Sequence, residues 1–208
     1  MGRMRLLFIC TGNKCRSPIA ERLAAARVHE LLGADDRKVT IESAGLQAPI
    51  GEAMDPRSAK ALVALGGDPT GMRSRAFTPD MAARASLVLT MTRRQRRIVL
   101  EAFPRGMRKT FTLVEAADLL GRADLDGLAG LPLAQRGDEL ALRLDNARAH
   151  RMSADADDIL DPIDQRPAVH DEVAAVIAEA LRPLTTVLFS GSRVQVTAPP
   201  AGGAGAHG

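Results

Sequence analysis

The sequence predicts an α/β fold: a four-stranded parallel sheet flanked by helices on both faces. Three observations predict it. Apolar runs of strand length alternate with segments of helical spacing along the chain. The first run, "RLLFIC", is continuously apolar after its opening arginine, as a parallel strand buried on both faces must be. At 208 residues the chain is long enough to bury a full core as one domain, or one domain with an extension. Strand and helix taken alternately give a parallel sheet covered on both sides.

Each element follows in order. Residues 5–10 form the first strand. "SPIAERLAAARVHELLG" (17–33) has helical spacing, with Ser17 as cap, Pro18 in the first turn and a glycine at its end. "KVTIESAG" (38–45) is a second strand. "DPRSAKALVALGG" (55–67) is a second helix, with Asp55 as cap and Pro56 in the first turn. "ASLVLTMT" (85–92) is a third strand, followed by a helix to about Ala102, and "KTFTLV" (109–114) is a fourth strand. The stretch 121–158 is polar and charged with a helical middle, and is expected to be an insertion or mobile flap. "DEVAAVIAEALRPLTTVLF" supplies a last helix and closes a single domain at 1–189. Residues 190–208 are rich in Gly, Ala and Pro, and are expected to form a disordered tail, unable to bury enough apolar surface to order itself.

Composition narrows the function. Net charge is only +3, and the chain has no Trp and no Tyr. The run "TRRQRR" (92–97) therefore reads as a solvated helix face rather than a nucleic-acid patch, because no aromatic residues interleave for base stacking. The start "MGRMRLLFIC" is too short for a membrane span and runs into a charged loop without a small-residue cleavage site. The expectation is a cytoplasmic protein, without nucleic-acid or membrane partners. His29, His150, His170 and His207 follow no metal spacing, so no metal is expected, and no other cofactor. The chain has no G-x-x-x-x-G-K-[ST] run for nucleotide-driven phosphoryl transfer.

Both cysteines fall in one short loop, "CTGNKCRSP". In a reducing compartment two cysteines are reactive more often than structural. Cys10 ends a buried strand and Ser17 starts a helix. Between them the chain bends through Thr11, Gly12, Asn13, Lys14, Cys15 and Arg16, and Gly12 and Asn13 both tolerate positive φ. Such a bend turns backbone N–H groups inward as an anion-binding nest. The helix N-terminus adds partial positive charge, and Arg16 adds a planar cation with two donors for a phosphate. Positive surroundings of this kind favour the thiolate, which is the nucleophilic form of cysteine.

The segment "CTGNKCRSPIAE" resembles the active-site loop of the low-molecular-weight protein tyrosine phosphatases, with Cys10 and Arg16 on the family's C-x5-R signature. The resemblance extends through "ESAG" (42–45) and "DPRS" (55–58) to "DPIDQRP" (161–167). It implies the four-stranded sheet of that family and a phosphate monoester hydrolase working through a phosphocysteine intermediate. Cys10 is then the nucleophile, Arg16 the phosphate clamp and Asp161 the general acid that protonates the leaving oxygen. Residues 11–17 bind the phosphate, Ser17 steadies the thiolate, and Ser43 is the partner of Asn13. Cys15 is the redox partner that captures a sulfenic acid on Cys10 as a disulfide. The aromatic walls common in the family are absent: Leu46, Ile163 and Asp164 stand in their places. The expected substrate is a phosphorylated protein, most directly phosphotyrosine, in an aromatic-poor pocket. A small phosphorylated metabolite such as a sugar or nucleoside phosphate is the alternative, as is arsenate reduction with an external thiol.

Overall fold

In the computed structural model, residues 3–149, 151–152 and 155–190 are described. Four parallel strands, β1 (Met4–Cys10), β2 (Val39–Gly45), β3 (Leu87–Thr90) and β4 (Thr110–Thr112), form one sheet in the order β2-β1-β3-β4. Helices α1 (Arg16–Leu32), α2 (Pro56–Ala64), α3 (Pro79–Arg84), α4 (Arg93–Ala102), α5 (Leu113–Leu119), α6 (Leu133–Arg148) and α7 (Pro167–Phe189) surround it.

Strand β1 lies at the centre and explains the layering. Met4, Leu6, Phe8 and Cys10 face one side, where α1, α2, α5, α6 and α7 supply the main core. Leu7 and Ile9 face the other, where Ala82 and Val99 from α3 and α4 complete a smaller core. Period-two alternation thus puts apolar side chains on both faces, which is why the strand has no polar face from Leu6 to Cys10; Arg5, at its start, pairs with Glu42.

Two strands are shorter than their apolar runs, for the same reason. The Thr112 side chain accepts the Glu115 amide while the Glu115 carboxylate accepts the Thr112 amide. This capping box starts α5 where the pattern suggested more strand. Thr92 and Gln95 make the same box at the start of α4, so β3 ends at Thr90. Helices α3 and α5 are two elements that the sequence pattern above does not separate from their neighbours. Within 121–158, the face of α6 bearing Leu140 and Leu144 is part of the main core, and no residue of α6 lines the cavities beside Cys10. His150 and His207, and all of the expected tail except Ser190, lie outside the described residues.

Candidate active site

The carboxyl end of β1 carries Cys10, and α1 begins six residues later at Arg16. The loop between them is fixed by buried side chains. Asn13 adopts a left-handed φ of 51°. This turns its amide toward the sulfur, and Asn13 N donates to Cys10 Sγ at 3.2 Å. Ser17 Oγ lies 3.0 Å from the same sulfur. Asn13 Nδ2 donates to Ser17 Oγ (3.0 Å) and Ser43 Oγ (2.8 Å), while its Oδ1 accepts the Arg75 amide (2.9 Å). Behind them, Ser43 donates to the Glu21 carboxylate, which also pairs with Arg75 at 3.6 Å. Asn13, buried completely, holds its conformation because its amide and both polar side-chain atoms have partners.

The neighbouring strand must come close for this. Leu46 N and Gln47 N donate to the carbonyls of Cys10 and Thr11 at 3.0 and 2.9 Å. A Cβ at Gly45 would lie 2.7 Å from Thr11 O and 2.9 Å from Asn13 N, so only glycine fits there. On the opposite side Gln95 Nε2 donates to Thr11 Oγ1 at 3.1 Å, tying the loop to α4.

Arg16 is 3 % exposed. Its Nη1 donates to the Ile159 carbonyl at 3.0 Å and its Nη2 pairs with Asp161, 145 residues away in sequence. Its Nε is buried without an acceptor among the described residues. Four carboxylates compete in the acidic segment, and their contacts separate them. Asp157 is buried and held by Arg151. Asp158 accepts from the Arg93 backbone (2.7 Å) and side chain (3.4 Å). Asp164 sits in a left-handed turn at φ 60°. Asp161 is the one that lines the small cavity, of about 160 Å³, formed with Cys10, Thr11, Gly12, Lys14, Cys15, Arg16 and Ile163. Lys14 points to Glu52, at 2.7 Å.

Cys15 faces a separate buried group. Burial pushes its thiol up to about 12, against a smaller opposing hydrogen bond with Ser58. Cys15, Asp55 and His170 have ligand atoms within 4.8 Å of one another, the one group of this kind among the described residues that could hold a metal ion. Asp55 is already occupied as the α2 cap, and His170 Nδ1 lies 2.8 Å from Ser58 Oγ. The sequence placed His170 in no pattern, because its neighbours come from the starts of two other helices, far away in the chain. Glu21, Arg75 and Gln95 were also missed. Glu21, one turn after Ser17, carries a faint signal: a carboxylate on the buried stripe of α1.

The sequence profile of the low molecular weight phosphotyrosine protein phosphatases matches residues 5–126. The chain belongs to this family. Its relatives include a protein-arginine-phosphatase of Bacillus subtilis, 34% identical over 116 residues, covering 54% of this chain and 71% of that protein. A low molecular weight protein-tyrosine-phosphatase, Ptp, of Acinetobacter johnsonii is 30% identical over 108 residues, covering 52% of this chain and 70% of that one. The crystal structure of a YwlE mutant from Bacillus subtilis superposes with a TM-score of 0.64 at 26% identity, over 89% of this chain and 98% of that one. As a member of the low molecular weight phosphatase family the protein is a cysteine-dependent phosphatase. No helix among the described residues is long and apolar enough to cross a membrane.

Proposed function

We propose that the protein dephosphorylates phosphorylated proteins through a phosphocysteine on Cys10. The observation that carries this reading is the pairing of Asp161 with Arg16 at the mouth of the Cys10 loop. A carboxylate far away in sequence meets the one buried guanidinium of a loop suited to an oxyanion. Cys10 Sγ attacks phosphorus, the bond from phosphorus to the leaving atom breaks, and Asp161 protonates that atom. Arg16 exchanges Asp161 for phosphate oxygens, and its unpartnered Nε supplies a further donor to them. Water then cleaves the S–P bond: Asp161 takes a proton of the water, the water oxygen bonds to phosphorus, and the Cys10 thiolate leaves, which returns inorganic phosphate and a protonated Asp161. Thr11, Gly12, Asn13, Lys14, Cys15 and Ser17 form the cradle. Ser17 and Asn13 hold the sulfur, and Ser43 holds Asn13. Cys15 captures an oxidised Cys10. A cytoplasmic setting suits this thiol chemistry.

Two phosphoresidues fit. Leu46, Ile98, Ile159 and Leu160 give the outer cavity, of about 540 Å³, an aliphatic wall against which a phosphotyrosine ring packs. A second reading, phosphoarginine, is favoured by the same cavity, because it lacks aromatic walls and presents Asp158 and Asp161 to a guanidinium. It is also what the arginine-phosphatase relatives act on by name. The test is a side-by-side turnover screen of phosphotyrosine and phosphoarginine peptides against sugar phosphates, nucleoside phosphates and arsenate. Peptide turnover well above every small molecule supports the reading. Preference for a metabolite or arsenate overturns it.

A further inference from the structure

We infer that the cleft beside α4 docks an acidic segment of the substrate protein, next to its phosphorylated residue; this rests on the protein-phosphatase reading above. Four arginines occupy five consecutive positions, 93–97, broken only by Gln95. Gln95 and Val99 turn inward, so the helical period sends the arginines outward. Two are committed: Arg93 to Asp158, and Arg96 to the Thr110 carbonyl at 2.9 Å. Arg94 and Arg97, one turn apart and exposed, have no ion-pair partner among the described residues. All four line a cleft of about 740 Å³, with Leu100 and Met107 as apolar floor and only Asp158 and Glu101 as opposing charges.

Position gives the cleft its meaning. Arg94 and Asp158 line both this cleft and the outer cavity beside Cys10, so a chain leaving Cys10 in that direction passes Arg94 into the cleft that Arg97 also lines. The cleft has no aromatic side chain on which a nucleotide base would stack. Unpaired guanidiniums beside an apolar floor fit carboxylates on an extended peptide, in bidentate contact. Contacts of this exposed kind act on specificity and encounter rate more than on chemistry.

The experiment uses matched phosphopeptides, in phosphotyrosine and phosphoarginine versions, with Glu or Gln at the flanking positions, and an aryl phosphate as control. Acidic flanks should raise kcat/KM roughly three- to tenfold, the effect of two exposed charge pairs. The ratio should fall toward one as salt screens the pairs, a measurement that needs no variant. It should fall likewise in Arg97→Gln and further in the Arg94→Gln/Arg97→Gln double variant, while Arg97→Gln turns over the aryl phosphate normally. Equal rates with Glu and Gln flanks in the unaltered protein overturn this inference alone. Aryl phosphate turnover with neither peptide hydrolysed overturns the protein-substrate reading, and this inference with it.

Discussion

The loop from Cys10 to Ser17 and the segment from Asp157 to Asp164 meet at Arg16, but they are held in different ways. The first is short, buried and closed on itself: Asn13 alone ties Cys10, Ser17, Ser43 and Arg75 together. The second reaches the site by a few long-range contacts. Ile159 N donates to Met91 O at 2.8 Å, Asp158 is tied to Arg93, and Asp161 to Arg16. One region is preorganised by buried hydrogen bonds, and the other is attached by ion pairs, which in the proposed mechanism exchange partners when substrate arrives. On the proposed mechanism the nucleophile depends on buried hydrogen bonds, whose loss should cost stability and rate together. The proposed acid, Asp161, is held by a pair exposed on its own side only, and its segment by the half-exposed Arg93–Asp158 pair, whose loss should cost little stability.

The strongest attempt to break this contrast is Cys10→Ser. Turnover of every ester should fall to background, while inorganic phosphate still binds, because the nest and Arg16 remain. Calorimetry with phosphate, beside a turnover assay, checks both halves. Next is Asp161→Asn. It should lower kcat by about 10²–10⁴ for tyrosine or alkyl esters and much less for a nitrophenyl ester, whose leaving group needs little protonation. Asn at Asp158 or Asp164 should show no such leaving-group dependence. If either does, and Asp161→Asn does not, the acid has been misassigned.

The difference in anchoring is sharpened by a pair of stability measurements. Asn13→Ala removes the donor to the buried Ser17 and Ser43 hydroxyls and the acceptor of the Arg75 amide, and should cost about 1–3 kcal/mol in urea unfolding. Asp158→Asn, at a half-exposed pair, should cost at most about 1 kcal/mol.

The smallest effect concerns Cys15. Its folded thiol is raised to about 12 from an ordinary 9.0. Stability from this source is therefore full below pH 9. As pH rises toward 12 the unfolded chain loses the proton first, and stability falls by up to about 1.4 kcal/mol per pH unit. Cys15→Ser should show a shallower alkaline decline than the unaltered protein; identical slopes would remove the buried-thiol account.

The same contrast explains what was legible in the sequence. The Cys10 loop is local, so strand end, glycine, asparagine and arginine could be read from nine adjacent letters; the cap could not, since α1 begins at Arg16 behind Cys15 and the Ser17 hydroxyl turns to the Cys10 sulfur instead of capping the helix. Asp161 was not readable among its acidic neighbours on residue type alone. Only the family resemblance singled it out, because the contact that distinguishes it spans 145 residues. The four strands and their order of appearance were legible from apolar runs. Their ends were not, because the capping boxes at Thr92 and Thr112 outcompete β-propensity locally. Glu21, Gln95 and His170 are polar residues buried by distant partners, for which a single sequence carries no pattern.

The central claim is that Cys10 takes the phosphoryl group and that Asp161 acts on it from the other loop. The most direct measurement is rapid-quench analysis of Asp161→Asn with a nitrophenyl phosphate. Formation of the intermediate needs no acid there, but its hydrolysis lacks the base. The account predicts a burst of about one nitrophenol per enzyme and, in the acid-quenched peptide digest, phosphate on Cys10. Continued nitrophenol release with no phosphate on Cys10, or with phosphate on another residue, would contradict it.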